Sequence, residues 1–147
     1  MSNALPYRGL EHIARQHRDT CSKQLATLQR ELDALEAQRR DLESQRAAID
    51  ETRRQASRGL VDMQRLIAAD RIRSALGIEA TELERAISRV QGLLETSRTE
   101  LMQAQQSLKS YELLQEKHRV REERAQAQRE QRSLDEWSQH PATRHAQ

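Results

Sequence analysis

The stretch CSKQLATLQRELDALEAQRRDLESQRAAIDETRRQASRGLVDMQRLI, residues 21–67, decides the fold of this chain. Read in sevens, it places a nearly continuous apolar column at one position: Cys21, Leu28, Leu35, Leu42, Ile49, Ala56 and Met63. A second column lies four residues after each member of the first and is apolar at its ends but arginine in its middle: Leu25, Leu32, Arg39, Arg46, Arg53, Leu60 and Ile67. A straight helix of about 3.6 residues per turn cannot keep a strict seven-residue repeat on one side, so the pattern predicts supercoiling against another helix.

The composition indicates an elongated helical protein rather than a compact domain. Of the 147 residues, 35% are hydrophobic, 2% are aromatic and 33% are charged, which is too little apolar material for a thick core. Alanine, leucine, glutamine, glutamate and arginine dominate, and all are strong helix formers. Proline occurs only twice, at Pro6 and Pro141, so the chain between them can be helical throughout.

The charge pattern allows two interpretations. The net charge is +2, and the 22 arginines outnumber the three lysines, which is compatible with a basic coiled coil that binds nucleic acid or with a generic scaffold. Acidic and basic residues also alternate at pairing distance: Asp19 with Lys23, Glu36 with Arg40, and Asp50 with Arg54. Such spacing favours a solvated, salt-bridged helix face, and we therefore expect no nucleic-acid partner.

The cysteine and hydropathy patterns predict a cytoplasmic protein that is not inserted in a membrane. A single cysteine excludes an internal disulfide and is typical of a reducing compartment. No run approaches the roughly 20 apolar residues needed to cross a bilayer, and the first residues lack the apolar core of a signal peptide.

The helix signals predict a reversal near Gly77. Arg71 and Arg73 suit a helix C-terminus, Gly77 can adopt the left-handed conformation, and Thr81 with Glu84 has the spacing of a capping box. The expected segments are a flexible N-terminus at 1–9, a first helix at 10–76, a reversal loop at 77–80, a second helix at 81–140 and a flexible tail at 141–147. An alternative reversal lies at 57–62, around Gly59, although the seven-residue register continues through it.

The second helix carries its own pair of columns. One contains Ala80, Ile87, Leu94, Leu101 and Leu108, and the other contains Leu83, Val90, Ser97, Ala104, Tyr111, His118 and Ala125. Together the two helices predict an all-α fold, a long antiparallel two-helix coiled-coil hairpin. A parallel homodimeric coiled coil without a hairpin is the alternative, and the signals at Gly77 disfavour it.

The arginines in the first seam leave a further choice open. Arg39, Arg46 and Arg53 stand where apolar residues would be buried. Their presence removes several kcal/mol of stabilisation from the seam, at about 1.5–3 kcal/mol for each fully buried aliphatic side chain. The weakened seam predicts either a hairpin that twists, bends or docks, or a polar seam that only sets register. Opposing acids are expected to pair with the arginine heads.

No pattern of catalytic residues is visible, so the sequence predicts no enzymatic activity and no cofactor. The four glycines are isolated and cannot form a phosphate-binding loop. His17 and Cys21 lie four residues apart and are both metal-ligand types, but a site would need further ligands. Cys21 also belongs to the apolar column, which favours core packing and predicts no metal site.

The segment YELLQEKHRVREERAQAQREQRSLDEWSQH, residues 111–140, resembles the C-terminal helix of the FliJ/YscO family, the stalk proteins of flagellar and virulence type III export. That family tends to close with Gln-Lys/Arg, an apolar residue, Asp-Glu and an aromatic residue. The corresponding residues here are Gln131, Arg132, Leu134, Asp135, Glu136 and Trp137. The order Leu10, Ile13, Ala14, Asp19, Leu25 and the segment Leu83–Ile87 are also similar to the family, whose members usually reverse nearer Gly59.

The resemblance implies a hairpin similar to the coiled coil of the rotary ATPase gamma subunit. The end with both termini would enter the pore of a hexameric type III export ATPase, and the far end would face the export gate at the inner membrane. Export chaperones are further implied partners. The ATPase-binding candidates are Leu10, Ile13, Leu134, Asp135, Glu136 and Trp137, and the gate-binding candidates are Ile72, Leu76 and Leu83. Trp137 is expected to be an interface residue or a cap that packs onto Leu10 or Ile13, and the two roles are compatible.

Overall fold

The computed structural model describes residues 6–140, which form two α-helices and a short connection. Helix α1 spans Arg8–Ala56 and helix α2 spans Met63–Gln139, with no strand among the described residues. The two helices pack against each other, which confirms the predicted all-α helical hairpin. The predicted flexible ends lie partly outside the described residues: 1–5 and 141–147 are not described, whereas Arg8 and Gly9 already belong to α1.

The chain divides into two compact units, each built from both helices. The first, called the reversal unit here, is Thr20–Leu101 and contains the connection between the helices. The second, called the terminal unit, combines the chain up to Asp19 with the chain from Met102 onward. Each unit is described by itself below.

The core of the reversal unit is one layer of aliphatic side chains between the helices. Its buried cluster consists of Leu32, Ile87, Val90 and Leu94, and Leu25, Leu28, Leu35 and Leu83 pack against it. Both predicted columns of α2 supply members of this cluster, so their assignment to the seam is confirmed. Because a two-helix seam buries few side chains completely, each member of the cluster carries a large share of the packing energy.

Three ion pairs across the reversal unit show the direction of the helices. Arg39 Nη1 lies 3.5 Å from Glu84 Oε1, Arg73 Nε lies 3.2 Å from Asp50 Oδ1, and Arg53 Nε lies 3.1 Å from Asp70 Oδ1. Residue numbers rise along α1 as those of their partners fall along α2, so the helices are antiparallel. Seam residues Arg39 and Arg53 thus pair with opposing acids, as predicted.

Several predicted pairs within the helices take other partners. Asp50 binds Arg73 across the seam, Arg54 pairs with Glu51 at 3.2 Å, and Asp19 pairs with Arg18 at 2.7 Å. Spacing by four residues places these groups on one face but does not choose among neighbours of equal reach. The pairs are partly exposed, so each contributes little to stability.

The terminal unit joins the first turns of α1 to the later part of α2 through polar contacts. Gln115 Nε2 donates a hydrogen bond to Glu11 Oε2 at 3.0 Å, and Arg15 lies 2.8 Å from Glu11 and 3.9 Å from Glu112. Ala14 and Leu108 are buried within this unit. The polar contacts of Glu11 and Arg15 with α2 connect the two helices in this unit.

The connection between the helices occupies residues 57–62, so the predicted reversal at 77–80 is wrong and the alternative range contains the observed one. Gly59 has φ +70°, in the left-handed region that favours glycine. The Asp62 N–H donates to the Ala56 carbonyl at 3.1 Å, and Asp62 Oδ1 accepts the Arg65 N–H at 3.1 Å. Asp62 is therefore the N-cap of α2.

Helix α2 continues through Gly77 without interruption. The predicted helix bounds 10–76 and 81–140 are therefore wrong, and the observed helices are Arg8–Ala56 and Met63–Gln139. The residues of the predicted capping box act otherwise. Thr81 Oγ1 donates to the Gly77 carbonyl at 3.0 Å, the i−4 bond of a hydroxyl inside a helix, and Glu84 pairs with Arg39. A glycine within a helix lowers its stability by about 1 kcal/mol without ending it.

The N-cap at Asp62 gives a first prediction. Asp62→Ala removes the acceptor for the Arg65 N–H and should lower the free energy of unfolding by about 0.5–2 kcal/mol in urea titrations followed by circular dichroism. Asp62→Asn should keep most of the stability because asparagine caps equally well. The matched control Asp33→Ala, at an exposed position inside α1, loses only the hydrogen bond from Gln29 Nε2 and should lower stability by about 0.5 kcal/mol at most. Equal losses in Asp62→Ala and Asp33→Ala would contradict the capping role.

Candidate docking surfaces

The last described part of α2 is largely exposed to solvent. From residue 121 to residue 140 every side chain is exposed except Ala125, which is half-buried. Isolated helices of this length are only marginally stable in water, and the ion pair of Arg119 with Glu123 supports the first turn of this segment. The exposed side chains of this segment are accessible to a second macromolecule.

An exposed charged cluster stands where this segment begins. Arg119 Nη2 lies 2.7 Å from Glu116 Oε1, and the same guanidinium also pairs with Glu123. The hydrogen bonding that Arg119 donates to the Glu116 carboxylate lowers the pKa of Glu116 and raises the pKa of Arg119. Spacings of three and four residues place all three groups on one helix face, so the cluster stabilises the helix locally.

The C-terminal patch consists of Leu134, Asp135, Glu136 and Trp137, four of the predicted ATPase-binding residues. Trp137 is 79% exposed and Leu134 is 70% exposed, and their spacing of three residues puts them on the same face of α2. Asp135 and Glu136 are exposed beside them. The patch thus presents a tryptophan and a leucine together with two carboxylates.

The other two ATPase-binding candidates lie at the start of α1. Leu10 is 46% exposed and Ile13 is 63% exposed, so both keep accessible apolar surface. The interpretation of Trp137 as a cap packed onto Leu10 or Ile13 is wrong, because the indole is exposed over most of its surface. Tryptophan in this position is available to a partner.

The three predicted gate-binding residues do not form one exposed surface. Ile72 is exposed, but Leu76 is buried and Leu83 is half-buried against the core cluster of the reversal unit. Leu76 and Leu83 were chosen as neighbours of a reversal at Gly77, and the observed reversal makes them seam residues instead. Only Ile72 is therefore placed to touch a partner.

Sequence reasoning missed the apolar residues at the actual reversal. Leu60 is fully exposed, and Val61, Met63 and Ile67 are also exposed. Leu60, Met63 and Ile67 continue the seam columns of α1, which led to their assignment as seam residues. The signal that could have found them is Gly59 followed three residues later by Asp62, a left-handed glycine and an N-cap in the order of a helix–turn–helix.

The family model described as "FliJ: Flagellar FliJ protein" matches residues 4–147. The chain belongs to the FliJ family. This confirms the resemblance inferred from residues 111–140. Membership of the family makes the protein a flagellar or type III export protein. No curated protein and no solved structure gave a match.

The described part of this FliJ-family chain offers no metal centre or membrane span. Over residues 6–140 no group of three or more His, Cys, Asp or Glu side chains could hold a metal ion. Cys21 is buried in the seam, where it packs as a small apolar residue. Within the same residues, neither helix contains a stretch apolar and long enough to cross a bilayer.

The grooves along this FliJ-family hairpin are open rather than enclosed. One groove in the reversal unit has a volume of about 490 Å³ and is lined by Thr20, Thr27, Leu28 and Leu93 beside Ser97. The Ser97 hydroxyl is buried and has no hydrogen-bond partner among the described residues. The groove marks the point where a serine replaces an aliphatic side chain in the seam, as its position in the predicted column indicates.

Proposed function

We propose that this protein is the non-enzymatic central stalk of a type III protein export apparatus, docked in the pore of the hexameric export ATPase and linking it to the export gate and to chaperones. The observation that carries the proposal is the family match over residues 4–147. The apparatus places the protein in the cytoplasm, at the inner-membrane face. A helical hairpin suits this role because it can enter a narrow ring.

The C-terminal patch supplies the chemistry for docking in the ATPase pore. Tryptophan is enriched among interface hot spots, where loss of one anchor costs about 2 kcal/mol or more, and Leu134 adds apolar surface on the same helix face. Asp135 and Glu136 add negative charge beside these anchors, which favours a pore lined by basic side chains and speeds encounter with it. Leu10 and Ile13, exposed on α1, extend the apolar contact.

Contact with the export gate is assigned to Ile72. Leu76 and Leu83 support it by packing toward α1 within the reversal unit, since their side chains are largely buried. Chaperones would bind along the exposed parts of the seam, where Arg46 interrupts the apolar column and is exposed. These contacts complete the adaptor role.

The proposal is tested by the effect of the protein on the turnover of its cognate export ATPase. The native chain should raise the turnover of the ATPase. Leu134→Ala with Trp137→Ala should raise the concentration of the chain needed for half-maximal stimulation by about 30-fold or more, the equivalent of about 2 kcal/mol of binding free energy or more. The matched control is Leu113→Ala with Met102→Ala, two exposed apolar residues of α2 outside the patch, which should leave stimulation unchanged.

Two results would contradict the proposed function. One is a native chain that neither binds the ATPase nor changes its turnover. The other is equal loss of stimulation in the patch variant and the control variant, which would show that docking does not use the patch. Circular dichroism of each variant should match that of the native chain, because all four side chains are exposed.

A further inference from the structure

The reversal between the helices exposes an unusual concentration of apolar side chains. Leu60 is 100% exposed, Met63 is 61% exposed, and Val61 and Ile67 are also exposed within the same eight residues. We call Leu60, Val61 and Met63 the apolar apex. Clustered exposed apolar side chains in a soluble protein mark contact sites, whereas isolated ones do not.

The apolar apex lies on a tight turn rather than in a groove. The Asp62 N–H closes the turn onto the Ala56 carbonyl at 3.1 Å, and Gly59 turns the chain at φ +70°. Leu60 retains its whole surface in this turn. An apex of this kind can enter a soft, flat surface without a matching pocket.

The charge around the apex is positive. Residues 53–67 contain four arginines and one acidic residue. Arg53 and Arg54 are engaged with Asp70 and Glu51. Among the described residues, the guanidinium groups of Arg58 and Arg65 form no ion pair, and both side chains are exposed.

We propose that the apolar apex binds the surface of an anionic lipid bilayer. Leu60, Val61 and Met63 would enter the boundary between headgroups and acyl chains, while Arg58 and Arg65 meet the lipid phosphates. Apolar residues combined with basic ones are typical of segments that lie in the membrane interface, and anionic headgroups complement unpaired guanidinium groups. A protein groove would instead require a concave match to the turn. The inference does not depend on docking in the ATPase.

The test is sedimentation of the full chain with vesicles that contain no protein. Vesicles of equal parts phosphatidylcholine and phosphatidylglycerol should bind the chain more strongly than vesicles of phosphatidylcholine alone, and added salt should weaken that binding. Leu60→Ser should reduce the partition coefficient by about tenfold or more, because one leucine no longer leaves water. Arg58→Gln with Arg65→Gln should reduce it by about 25-fold, at roughly fivefold for each arginine.

Matched controls separate the apex from the general basic character of the chain. Leu113→Ser makes the same change at an exposed leucine of α2 outside the apex, and Arg89→Gln with Arg98→Gln removes the same charge from exposed positions in the reversal unit. These variants should bind vesicles nearly as well as the native chain. The inference is overturned if anionic vesicles do not bind at low salt, if Leu60→Ser binds as the native chain does, or if apex and control variants lose binding equally. If Leu60→Ser lost affinity for a partner protein but bound vesicles as the native chain does, the inference would be overturned and the apex would be a site for that protein.

Discussion

Leu94→Ala should lower the free energy of unfolding by roughly 2–4 kcal/mol, the largest effect expected of any single substitution here. Leu94 is 2% exposed and belongs to the buried cluster with Leu32, Ile87 and Val90. Truncation removes the transfer energy of the side chain and leaves a cavity in a seam that has no second layer to fill it. The effect should stay below the upper end for core leucines because water can reach a two-helix seam. Urea titration followed by circular dichroism measures it.

The neighbouring residue provides the control. Leu93→Ala makes the same chemical change one position away, where the side chain is 49% exposed, and it should cost well under half as much. Alanine also has a slightly higher helix propensity than leucine, which offsets part of the loss. Similar destabilisation by the two variants would mean that Leu94 does not face α1.

Substitution of Gly59 and of Gly77 by alanine should change the stability of the protein in opposite directions. Gly59→Ala forces a Cβ into the left-handed conformation at φ +70° and should cost about 1–2 kcal/mol. Gly77→Ala replaces a glycine inside α2 and should stabilise the protein by about 0.8–1 kcal/mol. Neither added Cβ meets another atom within 4 Å, so the backbone conformation alone sets the sign.

The same pair of variants decides where the chain reverses. If the chain reversed at Gly77, Gly77→Ala would destabilise the protein and Gly59→Ala would stabilise it, because Gly77 would then need the left-handed conformation and Gly59 would be helical. The free energy of unfolding in urea, measured for both variants beside the native chain, distinguishes the two arrangements. Stabilisation by Gly59→Ala would contradict the observed connection.

The seam was predictable because burial in a coiled coil follows helix geometry. Leu32 and Leu94 stand in seven-residue columns, and any partner helix must cover those columns. The reversal was not predictable in the same way. The columns run past Gly59 to Leu60 and Met63 as if the helix continued, and the local signals at Gly77 were as good as those at Asp62. Pairs such as Arg53 with Asp70 decide between them, and they join residues distant in sequence.

The candidate surfaces were predictable to different degrees for the same reason. Trp137 follows a highly charged stretch in which no apolar column could bury it, which favoured an interface role. Its neighbours did not exclude a cap on Leu10 or Ile13, and only the observed exposure of the indole does so. Leu76 and Leu83 depend on the position of the reversal. Once the connection moves to residues 57–62, both residues oppose α1 and pack in the seam rather than facing a partner.

The single-layer seam of the reversal unit has a consequence for how such proteins change over evolutionary time. Only a few side chains, such as Leu32, Ile87 and Leu94, are constrained by a neighbour's shape. Most other positions need only favour a helix and remain compatible with water, and many amino acids meet both demands. Homologues should therefore diverge rapidly in sequence identity while they preserve the spacing of their aliphatic residues. Relatives in this family should be easier to recognise from hydrophobic periodicity than from residue identity.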